Sequence, residues 1–307
     1  MRKLDLHCHS SSSSGAIGKP PEIARFFKKH GYSAFGLTEH NNFESLTMAR
    51  ESAESLNIEY VPGMELTVRA PDIEGPENTG RHLLVFFYET NRFMAELTEK
   101  RMQAYEKHMR EFLLRLKKLN IADITEKDLQ TWIPKRFGED DVWKLPYRGH
   151  GPVSDLLKQR GALPENGSRT VRDLARETGC TLGDPDAPVI GDILPGLRAA
   201  NATLILAHPI RADMTEPDDA ERLRLNLWLD RYADGLEIFY EKYGPDQRRF
   251  LLDIVRTRNR PFTGGSDSHS YNDMHPDTNR WSDAPYACLE SLREFRDTGT
   301  CNSFPNI

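Results

Sequence analysis

Lys3-Leu4-Asp5-Leu6-His7-Cys8-His9 opens the chain with a short apolar run that ends in two histidines. If Lys3 to Leu6 is a strand, its two-residue period sets His7 and His9 on one face at the C-terminal end, with Cys8 on the other. Neutral imidazole is the commonest metal-binding side chain, so the pair makes half of a metal site. Read alone, it fits an exposed surface pair equally well. The rest of the chain decides between the two.

Pro20-Pro21-Glu22 starts a helix that runs to His30, with Gly31 as its stop. Ala34 to Thr38 reads as a second strand and Ser45 to Leu56 as a helix. Glu59 to Glu65 is a third strand and His82 to Tyr88 a fourth; Ala202 to Ala207, Gly235 to Tyr240 and Pro261 to Gly265 follow, each after a helical stretch. Seven short, largely apolar strands separated by helices are the pattern of a parallel sheet buried on both faces. Seven is one short of the usual closed barrel. The expected fold is therefore α/β, a distorted (β/α)7 TIM-like barrel, with an open doubly wound sheet as the alternative.

The interval between the fourth and fifth strands is too long for a barrel repeat. Asn91 to Leu119 is a charged helical run, and shorter helices follow over Thr125 to Trp132, Val153 to Arg160 and Ser168 to Thr178. Residues 90–187 are read as a helical insertion, with 1–89 and 188–307 forming the barrel. On the loop side of a barrel such an insertion lies over the mouth, where it can act as a lid or bind substrate. A solvated decoration is the other reading.

Composition narrows the function. The 307 residues are 38% hydrophobic and 29% charged, with mean hydropathy −0.63, a wet but globular chain able to build a core. A net charge of −6 argues against an extensive nucleic-acid surface, though a local basic pocket is compatible with it. No apolar run approaches 18 residues, so no membrane span is expected. No apolar leader is visible, which points to a cytoplasmic protein. Cys8, Cys180, Cys288 and Cys301 show no paired spacing and are expected as reduced thiols, Cys8 in the core.

The strand ends carry the chemistry. The first ends in His7 and His9, the second in Glu39-His40-Asn41, and the third in Glu65. The fourth begins with His82, the fifth leads into His208 and Arg211, the sixth carries Glu237, and the seventh leads into Asp267 and His269. Active sites of such barrels are built on the C-terminal face. Imidazoles and carboxylates gathered there are costly unless they bind something. This cluster suits Zn, Mn or Fe, with ligands enough for more than one ion.

Asp5-Leu6-His7-Cys8-His9, Leu37-Thr38-Glu39-His40-Asn41, Gly63-Met64-Glu65, His82-Leu83-Leu84, Ala207-His208-Pro209 and Gly265-Ser266-Asp267-Ser268-His269 resemble, in order, the motifs of the PHP (polymerase and histidinol phosphatase) family. The resemblance is to its metal-dependent phosphoesterase branch. It implies a (β/α)7 barrel holding two or three divalent ions. It places His7, His9, Glu65 and Asp267 around one ion, with Glu65 bridging to a second held by His82 and His208. A third would use His40 and His269. Two departures bear on that third ion. Ser14 stands where the family has a metal-binding Asp or His, and a hydroxyl is a poor ligand beside a carboxylate. Glu39 and Asn41 replace the usual neighbours of His40. Without the third ion, His40 and His269 are expected to donate hydrogen bonds to phosphate or to act as general acid.

The expected activity is hydrolysis of a small phosphomonoester, of nucleotide or sugar phosphate type, by a metal-activated hydroxide. Arg211 is the first choice for a phosphate clamp, since its fork matches phosphate bidentately. Arg148 and His150, in Pro146-Tyr147-Arg148-Gly149-His150, are similar to basic residues that PHP phosphoesterases bring over the substrate. Asp5 and Glu237 are expected to orient ligand imidazoles. Lys135, Arg136, Arg248 and Arg249 read as solvated charges. One alternative is a 5′–3′ exonuclease or oligonucleotide phosphodiesterase, which needs a basic groove and salt-dependent affinity. The other is a non-catalytic metal-binding PHP module.

Overall fold

The first strand, β1 (Leu4–Cys8), lies parallel to β2 (Ala34–His40), whose far edge carries first β3 (Glu59–Tyr60) and then β4 (Gly63–Val68). This is a computed structural model, and it describes residues 2–13, 16, 18–76, 80–137, 150–180, 182, 186–214, 217–269 and 282–305. Ser14 and Arg148 lie outside the described residues, as do the side chains of Lys135, Arg136 and His150. The third strand read from the sequence is thus two pieces along one neighbour: Ala34 and Phe35 face Glu59 and Tyr60, while Thr38 to His40 face Gly63 to Glu65. Pro62 stands between them and has no N–H to give a ladder. β4 then runs on to Val68, so Glu65 lies within a strand rather than at its end.

Around the sheet the order is β1-β2-β4-β5-β6-β7-β8, with β5 (Arg81–Phe86), β6 (Thr203–Leu206), β7 (Gly235–Tyr240) and β8 (Phe262–Gly265). β8 returns to β1: Asp267 N donates to His7 O at 2.7 Å and His9 N to Ser268 O at 3.0 Å. The result is a nearly closed, distorted barrel of seven strands. Gly265 makes that return possible, because a Cβ there would stand 2.4 Å from both the Cβ and the backbone N of His7.

The sheet is not parallel throughout, as the alternation of strands and helices had suggested. β5 runs antiparallel to both β4 and β6. Among the described residues the link from β4 to β5 holds the one-turn α3 (Pro71–Glu74), where a parallel crossover usually carries a full helix. The reversal sets the beginning of β5 at the mouth where the other strands end. His82, second residue of β5 and opposite Thr67 of β4, arrives there for that reason.

Helices α1 (Pro20–Lys29), α2 (Leu46–Leu56), α8 (Ile190–Ala199), α9 (Asp219–Arg231), α10 (Pro245–Thr257) and α11 (Ala287–Thr298) belong to the barrel repeats. α1 begins with two prolines in its first turn, and Glu22 accepts from Lys19 N at 2.9 Å, so the start is well capped. Its Ile23, Ala24 and Phe27 pack with Cys8, Phe35 and Leu37 between the strands and α1–α2. All four cysteines are free.

Between β5 and α8 lie α4 (Arg92–Lys118), α5 (Glu126–Phe137), α6 (His150–Gln159) and α7 (Val171–Glu177). The first turns of α4 bury Met94 and Leu97 in the barrel's core. Its later turns bury Met109, Phe112, Leu113 and Leu116 in a second apolar cluster with Leu129, Leu157 and Leu174 of the shorter helices. At the return, Arg69 N donates to Pro188 O (2.9 Å) and Ile190 N to Arg69 O (2.8 Å), which pins this segment to the exit of β4. Among the described residues no helix is long and apolar enough to cross a membrane.

Candidate metal centre

Glu65 is the hub. Its carboxylate is fully buried, and register sets its strand between His40 on β2 and the antiparallel β5. Oε1 lies 2.7 Å from His82 Nδ1, 3.2 Å from His7 Nε2 and 3.3 Å from His208 Nε2. Oε2 lies 2.8 Å from His40 Nδ1 and 3.3 Å from His9 Nε2. Asp267 Oδ1 stands 3.2 Å from His9 Nε2 and 3.6 Å from His7 Nε2, and His269 Nε2 is 3.2 Å from His40 Nε2. The eight residues proposed as ligands from the sequence thus meet in one place.

Three overlapping groups have ligand atoms within 4.8 Å of one another: His7, His9, Glu65 and Asp267; His40, Glu65 and His82; and His9, His40 and His269. The first is the quartet that the resemblance implies. In the second His40 stands with Glu65 and His82 where the resemblance put His208, and His208 approaches the same oxygen of Glu65 as His82, their rings 5.1 Å apart. His7 Nε2 and Glu65 Oε2, at the centre, are buried without a hydrogen-bond partner among the described residues. Buried polar atoms left unsatisfied are costly unless something takes their lone pairs. An imidazole and carboxylate donor set of this kind fits a divalent transition-metal ion.

Residues 5–179, more than half of the chain, match the PHP domain family. The chain belongs to the PHP domain family. A 5′–3′ exoribonuclease of Haemophilus influenzae is 25% identical to it over 272 residues, covering 87% of this chain and 90% of that protein. Among solved structures, a protein assigned as a metal-dependent phosphoesterase from Bifidobacterium adolescentis superposes with a TM-score of 0.68 at 20% identity, over 95% of each chain. An amidohydrolase from Chromobacterium violaceum gives 0.64 at 17% identity, over 94% of this chain and 95% of that one. These two share the fold.

Behind this PHP site a layer of buried acceptors sets the imidazole tautomers. His7 Nδ1 donates to Glu237 Oε1 at 2.9 Å, and the other oxygen of Glu237 accepts from His208 N at 2.7 Å. His269 Nδ1 lies 2.9 Å from the carbonyl of Asp267, which can only accept. For His9 the partner is Ser13 Oγ at 3.2 Å. That hydroxyl donates to Glu39 Oε2 (2.5 Å) and accepts from His40 N (2.8 Å), so one lone pair remains and His9 Nδ1 must be the donor. In all three rings Nε2 is left facing the centre. Asp5 differs from its expected role. It accepts from the backbone N–H groups of His7 (3.2 Å) and Ser266 (3.1 Å), tying β1 to β8 instead of holding a ring, and burial pushes its carboxyl up to about 7.

Three non-glycine residues at the mouth adopt left-handed backbone: Asn41 (φ 55°), His208 (φ 28°) and Asp267 (φ 54°). Such turns cost about 1–2 kcal/mol each for ordinary residues and gather where function needs an unusual chain direction. Asn41 also bonds outward, accepting from Thr67 N (2.9 Å) and donating to Tyr105 OH of α4 (2.9 Å). The inserted segment therefore touches the residue beside His40.

Electrostatics of the ion-free cluster follow from this crowding. Burial alone would lower His7 and His9, but the surrounding carboxylates outweigh it: Glu237, Glu65 and Asp267 raise His7, while Asp267 and Glu65 raise His9 to about 9. Burial and the charge on His9 lower His40 and bring His269 down to about 3. Burial opposes ionisation of Glu65, yet His82, His7 and His40 hold it well below the usual carboxylate range. An ion entering here displaces protons from inner nitrogens.

The proposed phosphate-binding residues fare differently from the ligands. Arg211 lies three residues beyond His208 with its side chain 76% exposed and its guanidinium on Asp213 at 2.6 Å. Arg248 is paired with Asp283 and Arg249 with Asp246. Sequence reading missed Ser13, Tyr240 and Lys242. The serine run directly after His9 was the available signal for the first. Tyr240 and Lys242, at the end of β7, carried none.

Proposed function

We propose that this PHP protein is a metal-dependent phosphoesterase that hydrolyses a small phosphomonoester of nucleotide or sugar phosphate type. The observation that carries this reading is the convergence of five imidazoles on the two oxygens of one buried glutamate, with Asp267 and His269 completing the set. His7, His9, Glu65 and Asp267 would hold one ion, and Glu65 with His40, His82 and His208 a second. His9, His40 and His269 could hold a third. Bound ions of this kind supply hydroxide near neutral pH and neutralise phosphoryl oxygens.

The chain's own residues do the rest. Glu237 and Ser13 fix the ring directions of His7 and His9. His269 has its proton on Nδ1 toward a carbonyl and a lone pair at Nε2, which favours ligation over the general-acid role. Tyr105 of α4 bonds to Asn41, which supports a substrate-covering role for residues 90–187, and Arg148 and His150 would be its contacts. Arg211 would serve as a clamp by exchanging Asp213 for phosphate.

A second reading, 5′–3′ exonuclease action, is favoured by the Haemophilus relative, which aligns over 90% of its length. The net charge of −6 favours the small substrate. Protein reconstituted with Mn, Zn or Fe should release inorganic phosphate from nucleoside or sugar monophosphates. His7→Ala and Glu65→Ala should each lose at least about 100-fold, since both remove a group at the charge-stabilising centre. Mononucleotides released from 5′-phosphorylated oligoribonucleotides would establish the second reading instead. Activity unchanged in both variants would overturn the metal mechanism.

A further inference from the structure

β7 ends at the mouth with Tyr240, whose hydroxyl donates to Asp267 Oδ2 at 3.2 Å, while Oδ1 of that carboxylate faces His7 and His9. Its ring lies 5.6 Å from that of His208. Two residues on, Lys242 reaches back to the hydroxyl end of the same ring, where Nζ, 5.2 Å from the centroid, donates to the Tyr240 hydroxyl at 2.8 Å. An ammonium group thus stands two hydrogen bonds from a carboxylate of the metal-binding quartet.

Neighbouring cations on this rim are already neutralised: Arg211 by Asp213, Arg248 by Asp283 and Arg249 by Asp246. Among the described residues, Lys242 makes no ion pair, and its hydrogen-bond partner is the Tyr240 hydroxyl. A lysine ammonium has three donors, so two N–H groups remain after the bond to Tyr240. A compact charge with free donors beside a metal cluster is what an incoming phosphoryl oxygen requires.

We propose that Lys242 is a substrate-binding cation of this mouth, with Tyr240 positioning it. In this arrangement Lys242 Nζ donates to a non-bridging oxygen of the substrate's phosphoryl group. Tyr240 keeps the flexible stem folded toward the centre. The proposal rests on the phosphoesterase reading, and its test separates the two.

Metal-loaded protein is titrated with inorganic phosphate by calorimetry, and metal content is measured on the same samples. Lys242→Met keeps the stem and removes the charge at an exposed position, so folding and metal content should match the wild type. Its phosphate affinity should fall tenfold or more, and KM for a phosphomonoester should rise more than kcat falls. Lys242→Arg should recover most of the affinity. Tyr240→Phe should lose about threefold, because the ammonium is then unanchored (one net hydrogen bond). Wild-type phosphate affinity in Lys242→Met, or no phosphate binding by the wild type, overturns the proposal. Phosphate binding that depends on Lys242 in a protein that turns over no phosphoester supports the proposal and overturns the functional reading. Turnover by the wild type, with Lys242→Met equal to it in KM and phosphate affinity, does the reverse.

Discussion

His7 and His9 are two residues apart and point at the same glutamate, yet the molecule holds them in different ways. His7 is clamped inside the barrel: Glu237 takes its Nδ1, Asp5 its backbone N–H, and Gly265 lets β8 pass against it. His9 has left the strand. It rests on Ser13, in the loop that follows, and Ser13 rests on Glu39, which also accepts from the backbone N–H and hydroxyl of Ser10. One imidazole is fixed by strand packing, and the other by a chain of hydroxyls that a single loop must keep in place. The strand side should tolerate change least, because rigid neighbours cannot relax around a defect.

The sharpest way to break the contrast is Gly265→Ala. The new methyl would meet the Cβ and backbone of His7, not the end of a flexible side chain, so β8 must separate from β1. A loss of about 3 kcal/mol in denaturant unfolding is expected, at the upper end for overpacking, together with loss of metal from the quartet. Stability equal to wild type would show that the seam is looser than its hydrogen bonds imply.

Glu237→Gln comes next. It keeps the shape but offers one fewer acceptor oxygen to His7 and His208 N, and metal affinity should fall about 10–100-fold in competition with a chelator. Ser13→Ala should cost less, about tenfold, because the loop can readmit water beside His9 Nδ1. If Ser13→Ala equals or exceeds Glu237→Gln, the two sides are equivalent and the contrast fails.

The smallest effect expected is in pH dependence. His9 is held at about 9, above its ordinary 6.5, so it contributes stability to metal-free protein that is complete below 6.5 and lost as pH rises through 9. His7 shifts in the same direction. Metal-free protein should therefore melt at lower temperature at pH 9.5 than at pH 6.5, and metal uptake at neutral pH should release protons, read from calorimetry in two buffers of different ionisation enthalpy. Zero proton release would show that the inner nitrogens are already bare.

Much of the centre was legible because its logic is local. Alternation along Leu4–His9 puts two imidazoles on one side, and strand ends rich in His, Glu and Asp are costly in a barrel mouth without a ligand. The same local logic sent Cys8 to the opposite face, into the core with Phe27 and Phe35. Elsewhere it reached its limit. The sequence reading ended a strand at Glu65, whereas β4 runs three residues further because β5 folds back along it as a hairpin partner. The arginine with the best chemistry for phosphate, Arg211, is tied to a neighbour two residues away, while an unremarked lysine reaches the mouth by bonding to the Tyr240 hydroxyl.

From the sequence alone came the residue types, their spacing and the barrel they decorate, since all of these follow from strand period and the cost of burying charge. Only the tertiary structure decided that β5 is reversed, which brings His82 to the mouth, and that Ser13 and Glu39 rather than Asp5 support a ligand ring. Strand direction and the partner of a buried nitrogen depend on segments far apart in the chain. No local pattern encodes which of several carboxylates or hydroxyls will arrive at hydrogen-bonding distance.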